Sequence, residues 1–282
     1  MHKKIIVSTL FLGSLLFMGA GCFSLNAGTD DAQTTGPAGV FASADQGEKW
    51  EASSLYPTVD GVKNLQSVSV YQFADDPLDS KTFYWASRGN GIFYTTDNAK
   101  SWSRASAPLN TGFVYNIAVH PKDNCTLYAT VGKHVYRTTQ CVRSWSEVYR
   151  ETGTDNVRGV AIDPYEPYAV YLVKEKGDVL QSDDGGVSWK VFTRMKGNSL
   201  MSIFPDPNKQ GRLFIATRSK GVYRSDDSGK TWTDLSAGLK KYAGGLTYRA
   251  MSVYPSKEGV LYWVSSYGIL RSDDAGDTWT PF

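Results

Sequence analysis

The 282-residue sequence predicts an all-β fold built from repeats, and three observations support this prediction. A short motif of Ser or Thr, Asp, Gly and Trp recurs, with its tryptophans 43 to 52 residues apart. Short runs of β-branched and aromatic residues lie between the motifs, as in antiparallel strands. Beyond the N-terminal apolar stretch, no long segment has the 3.6-residue period of a helix. Units of about 40–45 residues with a Gly/Trp signature predict a β-propeller.

The motif occurs in six copies of decreasing regularity. The copies are SDDGGVSW at 182–189, SDDSGKTW at 225–232, SDDAGDTW at 272–279, SADQGEKW at 43–50, TTDNAKSW at 95–102 and a decayed TTQCVRSW at 138–145. An enzyme needs a catalytic acid once, so six copies indicate a structural element.

Each repeat unit divides into four predicted strands. In the unit at 112–149 these are FVYNIAVHP, TLYATVG, HVYRTT and WSEVY, with the motif between the third and fourth strands. Five complete units follow residue 60, whereas GVFASADQGEKWEAS at 39–53 supplies only a third and a fourth strand. The sequence therefore predicts about six four-stranded blades with an incomplete N-terminal blade.

The motif residues have a structural explanation. Ser, Thr and Asp side chains stabilise turns by local hydrogen bonds, and the Trp buries a large apolar surface. A calcium loop would need more converging oxygens than one short turn offers. We therefore assign structural roles to Asp45, Trp50, Asp97, Trp102, Asp184, Trp189, Asp227, Trp232, Asp274 and Trp279.

By these residues the chain resembles the Asp-box (bacterial neuraminidase repeat) propellers. The pattern VAIDP…YAVYLV…VLQSDDGGVSW is most similar to the sortilin-like repeats and to the photosystem II stability/assembly factor family. The resemblance extends from Gly39 to Phe282. It implies the fold more strongly than a function, because the same architecture hosts enzymes and scaffolds.

The N-terminus predicts export. MHKK followed by the 16-residue apolar stretch IIVSTLFLGSLLFMGA is typical of a secretory signal. The stretch ends in GAGC, which resembles the bacterial lipoprotein lipobox and implies lipidation of Cys22. We expect a signal peptide at 1–21, a flexible tether at 22–37 and the propeller at 38–282. The alternative is ordinary cleavage that leaves Cys22 free.

The lipobox resemblance also predicts a location. A lipidated Cys22 would attach the protein to a membrane of the bacterial cell envelope. Phe23 follows it in place of Asp, which by resemblance to the usual sorting pattern implies the outer membrane in a two-membrane cell.

Two further cysteines predict a disulfide. Cys125 and Cys141 are equidistant from Lys133, so a three-residue turn there would place them opposite each other on adjacent strands. Export permits such a bond. The alternative is two buried thiols.

The sequence gives little support for catalysis. Beyond the signal only His120 and His134 remain, and there is no HExxH, CxxC or P-loop motif. We expect no cofactor, no metal and no enzymatic activity. The enzyme alternative is a sialidase-like glycoside hydrolase, which by family resemblance needs three arginines, a Tyr/Glu pair and an Asp. The chain lacks the early Arg-Ile-Pro segment typical of sialidases.

Charge is balanced overall but unevenly placed. Without residues 1–21 the chain has 28 basic and 28 acidic residues, and we expect no nucleic-acid partner. In a propeller the Asp-box turns share one face with the turns between first and second strands. The loops of the opposite face contain thirteen basic residues but only four main acidic residues, Glu151, Asp155, Glu175 and Asp178. We call it the basic face; the residues assigned to partner binding are Arg158, Arg249, Arg88, Lys174, Arg218, Lys220, Lys240 and Lys241.

Two of these arginines occupy equivalent positions in their repeat units. Arg158 and Arg249 each lie six residues before a proline that ends an innermost strand, Pro164 and Pro255. Both are expected near the central channel.

The assembly-factor family is similar in presenting an arginine-rich patch to a membrane-protein client. The expected partner is an acidic protein segment or an anionic glycan, and the function that of an interaction or assembly scaffold. A carbohydrate-binding propeller is a second possibility, and ordinary solvated charges are the alternative to any site.

Overall fold

The computed structural model describes residues 40–45 and 47–282. The predicted signal peptide, the tether and Cys22 lie outside these residues. The described chain begins with two small hairpins. Their strands are β1 (Phe41–Ala42), β2 (Glu51–Ala52), β3 (Leu55–Thr58) and β4 (Gly61–Asn64).

Five antiparallel four-stranded sheets follow, and each is one blade in which consecutive strands pair as neighbours. Blade 1 is β5 (Val70–Asp75), β6 (Phe83–Ser87), β7 (Ile92–Thr95) and β8 (Ser103–Arg104). Blade 2 is β9 (Asn116–His120), β10 (Asp123–Val131), β11 (His134–Thr138) and β12 (Ser146–Arg150). Blade 3 is β13 (Val157–Ile162), β14 (Val170–Lys174), β15 (Asp178–Ser182) and β16 (Lys190–Arg194).

The last two blades have the same order. Blade 4 is β17 (Leu200–Pro205), β18 (Leu213–Thr217), β19 (Val222–Ser225) and β20 (Thr233–Asp234). The helix α1 (Ser236–Leu239) follows it. Blade 5 is β21 (Ala250–Val253), β22 (Leu261–Val264), β23 (Ile269–Ser272) and β24 (Thr280–Pro281). Within the described residues no helix has the length and hydropathy of a membrane span.

The first strand of each sheet lies innermost. β5, β9, β13 and β17 contact one another in that order. Side-chain carbonyls join neighbouring inner strands: the Gln72 amide oxygen accepts the Ile117 N–H at 2.8 Å, and the Asn116 amide oxygen accepts the Val160 N–H at 2.8 Å. These bonds satisfy backbone donors that no sheet partner reaches.

The core lies between the blades. Tyr84, Ala86 and Ile92 of blade 1 form one buried cluster with Ile117 and Leu127 of blade 2, and similar clusters fill the next interfaces. Blades 2, 3 and 4 therefore each bury one face against the preceding blade and the other against the following blade. This explains the near-continuous apolar runs of the second strands.

The number of blades corrects the sequence prediction, because the structure has five four-stranded blades and not six. The predicted N-terminal pair exists, as β1 and β2, but these strands pair over only two residues each. The chain then forms β3 and β4, and Leu65 and Tyr56 pack with Val40 against blade 1. The N-terminal segment thus covers one face of blade 1 without supplying an inner strand of its own.

The outer face of blade 5 shows the effect of the missing blade. At equivalent positions of the third strand, Ile92, Val135, Val179 and Val222 are each 0% exposed under the following blade. Ile269 holds this position in blade 5 and is only half-buried. Among the described residues, this face lacks the full cover that the other four blades receive.

The intact Asp boxes share one hydrogen-bonded turn between the third and fourth strands. The first hydroxyl donates to the Asp carboxylate at 2.6 to 2.8 Å, and the carboxylate accepts the backbone N–H four residues later. In the third blade, hydrogen bonds from Ser182 and Ser188 hold the pKa of Asp184 well below its usual range. The carboxylates are thus committed to the turn, which is a structural role.

The box tryptophans differ in burial. Trp102 is 1% exposed and its indole N–H donates to the Ser53 carbonyl at 2.7 Å. Trp50, in the incomplete blade, is 42% exposed and its indole N–H donates to the Gly47 carbonyl within its own turn. The expected large burial of this Trp therefore does not occur at Trp50.

The Cys125 and Cys141 sulfurs are bonded to each other. The register around them differs from the expected one. β10 and β11 are joined by a two-residue turn, with Val131 opposite His134, so Cys141 lies one residue beyond the position opposite Cys125. Cys141 belongs to the decayed box and donates its N–H to the Cys125 carbonyl at 3.2 Å.

Removing this bond by Cys141→Ser is expected to lower the free energy of unfolding by about 3 kcal/mol, because a closed loop of this length restricts the unfolded chain. Urea unfolding of the two proteins measures the difference. Intact mass with and without reductant shows whether the bond is present in the exported protein. Equal stabilities of oxidised wild type and variant would contradict the prediction.

Candidate partner-binding face

A ring of side chains occupies the inner end of the basic face. In blades 1, 3 and 4 the innermost strand has a β-bulge, at Tyr71, Arg158 and Met201. Tyr115 and Arg249 precede the first paired residues of β9 and β21, at the equivalent register. Bulges redirect a side chain out of the regular pleat. We call these five residues the bulge ring.

The bulge ring lies away from the Asp boxes. Each bulge lies at the start of the inner strand, beside the turn that joins the second and third strands; in blade 1, Val70 pairs with Ser87 at that turn. The Asp box is at the other end of the same sheet. The two sets of residues are therefore on opposite faces, as the repeat pattern predicts.

Aromatic rings and guanidinium groups pack together here. The ring of Tyr71 is 4.8 Å from that of Phe113 and 6.1 Å from that of Tyr115, centre to centre. The Arg158 guanidinium lies 4.3 Å from the centre of the Tyr115 ring, and that of Arg88 lies 5.4 Å from Tyr71. Cation–π contacts at these distances orient the arginines without neutralising them.

One carboxylate joins two of the arginines. The Oε2 atom of Glu175 accepts hydrogen bonds from the Arg158 Nε at 2.8 Å and Nη2 at 2.7 Å. Its Oε1 atom is 2.5 Å from the Arg218 Nη2. Burial alone would raise the pKa of Glu175, but the hydrogen bonds and charges of Arg158 and Arg218 outweigh it and lower that pKa. Glu175 is thus ionised at neutral pH.

Burial and nearby positive charges act in opposite directions on the Tyr71 phenol. Burial raises the pKa of Tyr71, while the charges of Arg158, Arg88 and Arg218 act in the opposite direction. The net effect is a raised pKa, so the phenol is neutral at neutral pH. Arg88 packs on Tyr71, and Arg158 packs on the neighbouring Tyr115 and is joined to Arg218 by Glu175. We call Arg88, Arg158 and Arg218, which come from blades 1, 3 and 4, the arginine cluster.

The other predicted residues are placed around this centre. Arg249 is exposed at its ring position, and Lys240 and Lys241 are exposed directly after α1. Lys220 is exposed and its Nζ donates to the Gly197 carbonyl at 2.8 Å. These four residues add exposed positive charge to the basic face.

Lys174 departs from its predicted role. Its Nζ is 2.8 Å from Glu151 and 3.6 Å from Asp178, and its side chain is only 14% exposed. Burial lowers the pKa of Lys174, but the Glu151 hydrogen bond and charge outweigh it and raise that pKa. The geometry gives Lys174 a structural ion pair in place of a partner contact.

The Lys174 pair predicts a dependence of stability on pH. Burial would raise the pKa of Glu151, but hydrogen bonds from Lys174, Gly153 and Tyr149 lower it to about 2. A carboxylate with a depressed folded pKa stabilises the fold above its unfolded pKa of about 4.3 and loses that effect as pH falls towards the folded value. We expect Glu151→Gln to cost about 2 kcal/mol at pH 7 and much less at pH 2.5. Urea unfolding at both pH values tests this; an equal cost at both would refute it.

Tyr71, Tyr115 and Met201 were not predicted as site residues, although the repeat pattern marks their positions. Each lies six residues before a proline, as Arg158 and Arg249 do; the five prolines are Pro77, Pro121, Pro164, Pro207 and Pro255. The same spacing, applied to every blade, identifies all five residues of the bulge ring. Nothing in the sequence pattern shows that Glu175 joins two arginines.

The Asp-box face has a cleft of its own, between blades 3 and 4. It is lined by residues that include Asp163, Tyr165, Glu166, Asp183 and Gln210. Burial raises the pKa of Asp163 against the hydrogen bonds of its neighbours. Over residues 40–45 and 47–282, no cluster of three His, Cys, Asp or Glu side chains is arranged to hold a metal ion.

With this fold and these repeats, the protein is a sortilin-like β-propeller. The chain belongs to the Sortilin-Vps10 family (sortilin, neurotensin receptor 3), whose family model matches residues 38–178 and 177–282. This confirms the sortilin-like resemblance. No curated protein sequence matches the chain significantly.

Several solved structures share the fold. YCF48 bound to D1 peptide has 18% identity and a TM-score of 0.58, covering 86% of this chain and 74% of that one. The nidogen/laminin complex has 14% identity and a TM-score of 0.63, covering 79% and 83%. The GH74 xyloglucanase from Xanthomonas campestris has 16% identity and a TM-score of 0.62, covering 90% and 43%.

The chain spans less than half the length of the GH74 structures it matches. At such identities the likeness shows the fold alone. The neighbours include both protein-binding propellers and glycoside hydrolases, so the function has to be argued from the site.

Proposed function

We propose that this protein is a non-enzymatic interaction scaffold that binds an acidic segment of a partner protein at the bulge ring. The observation that carries the proposal is the arginine cluster, in which Arg88 packs on Tyr71 while Glu175 joins Arg158 to Arg218. Carboxylates bind such guanidinium groups by strong charge-assisted hydrogen bonds. The aromatic rings beside them offer apolar contact area that adds to affinity.

Two structural neighbours support a protein-binding function at the level of the fold. They are YCF48 bound to D1 peptide and a nidogen/laminin complex.

The proposal also includes a location in the cell. A signal at 1–21 and a lipidated Cys22 would hold the propeller in the bacterial envelope, at the outer membrane where two membranes exist. Loss of the protein from the membrane fraction in a Cys22→Ser variant tests this; retention there would contradict it.

Cross-linking in cells and pull-down from the native envelope tests the binding proposal. The test variant carries Arg158→Glu, Arg249→Glu and Lys220→Glu. A matched control carries Lys100→Glu, Lys122→Glu and Lys230→Glu, the same charge change at exposed lysines of the Asp-box face. We expect a specific partner with wild type and control that is lost with the test variant. The same partners with all three folded proteins would reject the basic face as the site.

The second candidate is an anionic-glycan site or a sialidase-like hydrolase, and the same arginine cluster favours it. The arrangement fits catalysis poorly, because Glu175 is bonded to Arg158 and Arg218 and the pKa of Tyr71 is raised. A fluorogenic sialoside tests it directly. Turnover by wild type that is lost in Tyr71→Phe would establish the hydrolase, and binding to an anionic glycan array without turnover would establish the glycan site.

A further inference from the structure

We propose that Glu175 is an internal stand-in for the partner's carboxylate, and that an Asp or Glu side chain of the partner displaces it on binding. This inference rests on the proposed function and names the group recognised at the same site. Glu175 occupies the space between Arg158 and Arg218 with two oxygens, each directed at a different guanidinium. A planar carboxylate is the group that fits two such donors.

The backbone around Glu175 is fixed, so displacement requires only side-chain movement. The Glu175 N–H donates to the Asn156 carbonyl at 2.9 Å, and its own carbonyl accepts the Leu200 N–H at 3.0 Å. These bonds tie the turn to the inner strand of its own blade and to blade 4. The side chain is 23% exposed and can rotate towards solvent.

The two ends of the Glu175 contact are unequal. Arg158 is 17% exposed, is bonded through Nε and Nη2, and packs on Tyr115. Arg218 is 50% exposed, contacts Glu175 through Nη2 alone, and donates from Nε to the Ser199 hydroxyl at 3.2 Å. Solvent-exposed ion pairs contribute little, so the Arg218 contact breaks first. An incoming carboxylate would engage Arg218 and then replace Glu175 at Arg158.

Charge gives the direction of the effect. Glu175 is bonded to Arg158 and Arg218, and Arg88 lies over the Tyr71 ring, so the three guanidinium groups and one carboxylate together carry a net charge of +2. The Glu175→Gln variant removes the carboxylate charge that competes for Arg158 and Arg218 and that repels an acidic partner. Coupling between close charge pairs at interfaces is large enough for an increase in affinity of about tenfold.

The experiment measures binding of N-acetylated hexaglutamate at low salt by calorimetry. It uses the exported chain as wild type, Glu175→Gln and Asp178→Asn. The last is a matched control, because Asp178 lies in the same region, loses the same charge, and contacts Lys174 and Arg194 instead of the arginine cluster. We expect about tenfold tighter binding for Glu175→Gln and less than about twofold for Asp178→Asn.

Thermal unfolding gives a second readout. Without ligand, Glu175→Gln leaves the Arg158 guanidinium without a charged partner and is expected to lower Tm. Saturating hexaglutamate is expected to raise Tm more in this variant than in wild type, since the peptide refills the vacated position.

The outcomes separate the two proposals. Tighter binding by Glu175→Gln alone supports the stand-in role. Binding by wild type that is equal or weaker in Glu175→Gln, and is lost in Arg158→Ala, makes Glu175 a positioning residue; the inference then falls and the proposed function stands. Equal tightening in both variants reflects net charge only and also overturns the inference. No binding by any of the proteins rejects both.

Discussion

Replacing Trp102 with alanine is expected to lower the free energy of unfolding by about 4 kcal/mol. The side chain is 1% exposed and stands edge-on to Trp85 with ring centres 5.4 Å apart. Its removal opens a cavity between blade 1 and the N-terminal segment. It also leaves the buried Ser53 carbonyl without its indole donor. A cavity and an unsatisfied acceptor together explain the size of the effect.

Trp50→Ala is the matched control, because Trp50 occupies the same motif position and is 42% exposed. We expect it to cost less than about 1 kcal/mol. Urea unfolding followed by far-UV circular dichroism compares the two variants without relying on tryptophan fluorescence. Equal losses would mean that the N-terminal segment does not pack on blade 1 as described.

Replacing Arg158 with alanine is expected to weaken binding of hexaglutamate by about a hundredfold, because the loss removes a desolvated hydrogen-bonded charge at the centre of the site. Arg158→Lys keeps the charge but loses the two-pronged geometry and the stacking on Tyr115, and should cost about tenfold. Calorimetry at low salt measures both.

Arg194→Ala serves as the control for this series. Arg194 lies on the same face, its side chain is 59% exposed, and it contacts Asp178 at 3.4 Å. A rim arginine of this kind should change affinity less than about threefold. Equal losses for Arg158→Ala and Arg194→Ala would show that binding depends on total charge and not on the bulge ring.

The repeat made most of the fold predictable from the sequence. The strand runs, the position of the Asp boxes and the opposite placement of Arg158 follow from motif spacing alone, because every unit repeats the same local pairing. The blade count was wrong for a reason that spacing does not show. A box at 43–50 predicts a blade, but β1 and β2 pair over only two residues and the following chain packs on blade 1.

The site was predictable in its charges and less so in its contacts. The position in the repeat places Arg158 near the channel, yet the partners of each charge depend on tertiary geometry. Lys174 was assigned to binding and lies in a buried pair with Glu151, whereas Glu175 holds two arginines from different blades. Pairings between blades depend on side-chain reach across interfaces that no local pattern encodes.

Hydrogen–deuterium exchange of the wild-type protein with and without hexaglutamate tests the central claim most directly, because it reports which face binds. We expect protection at 156–158, 175–177 and 218–221, around the arginine cluster. Protection at 163–167 and 183–188, on the Asp-box face, would contradict it.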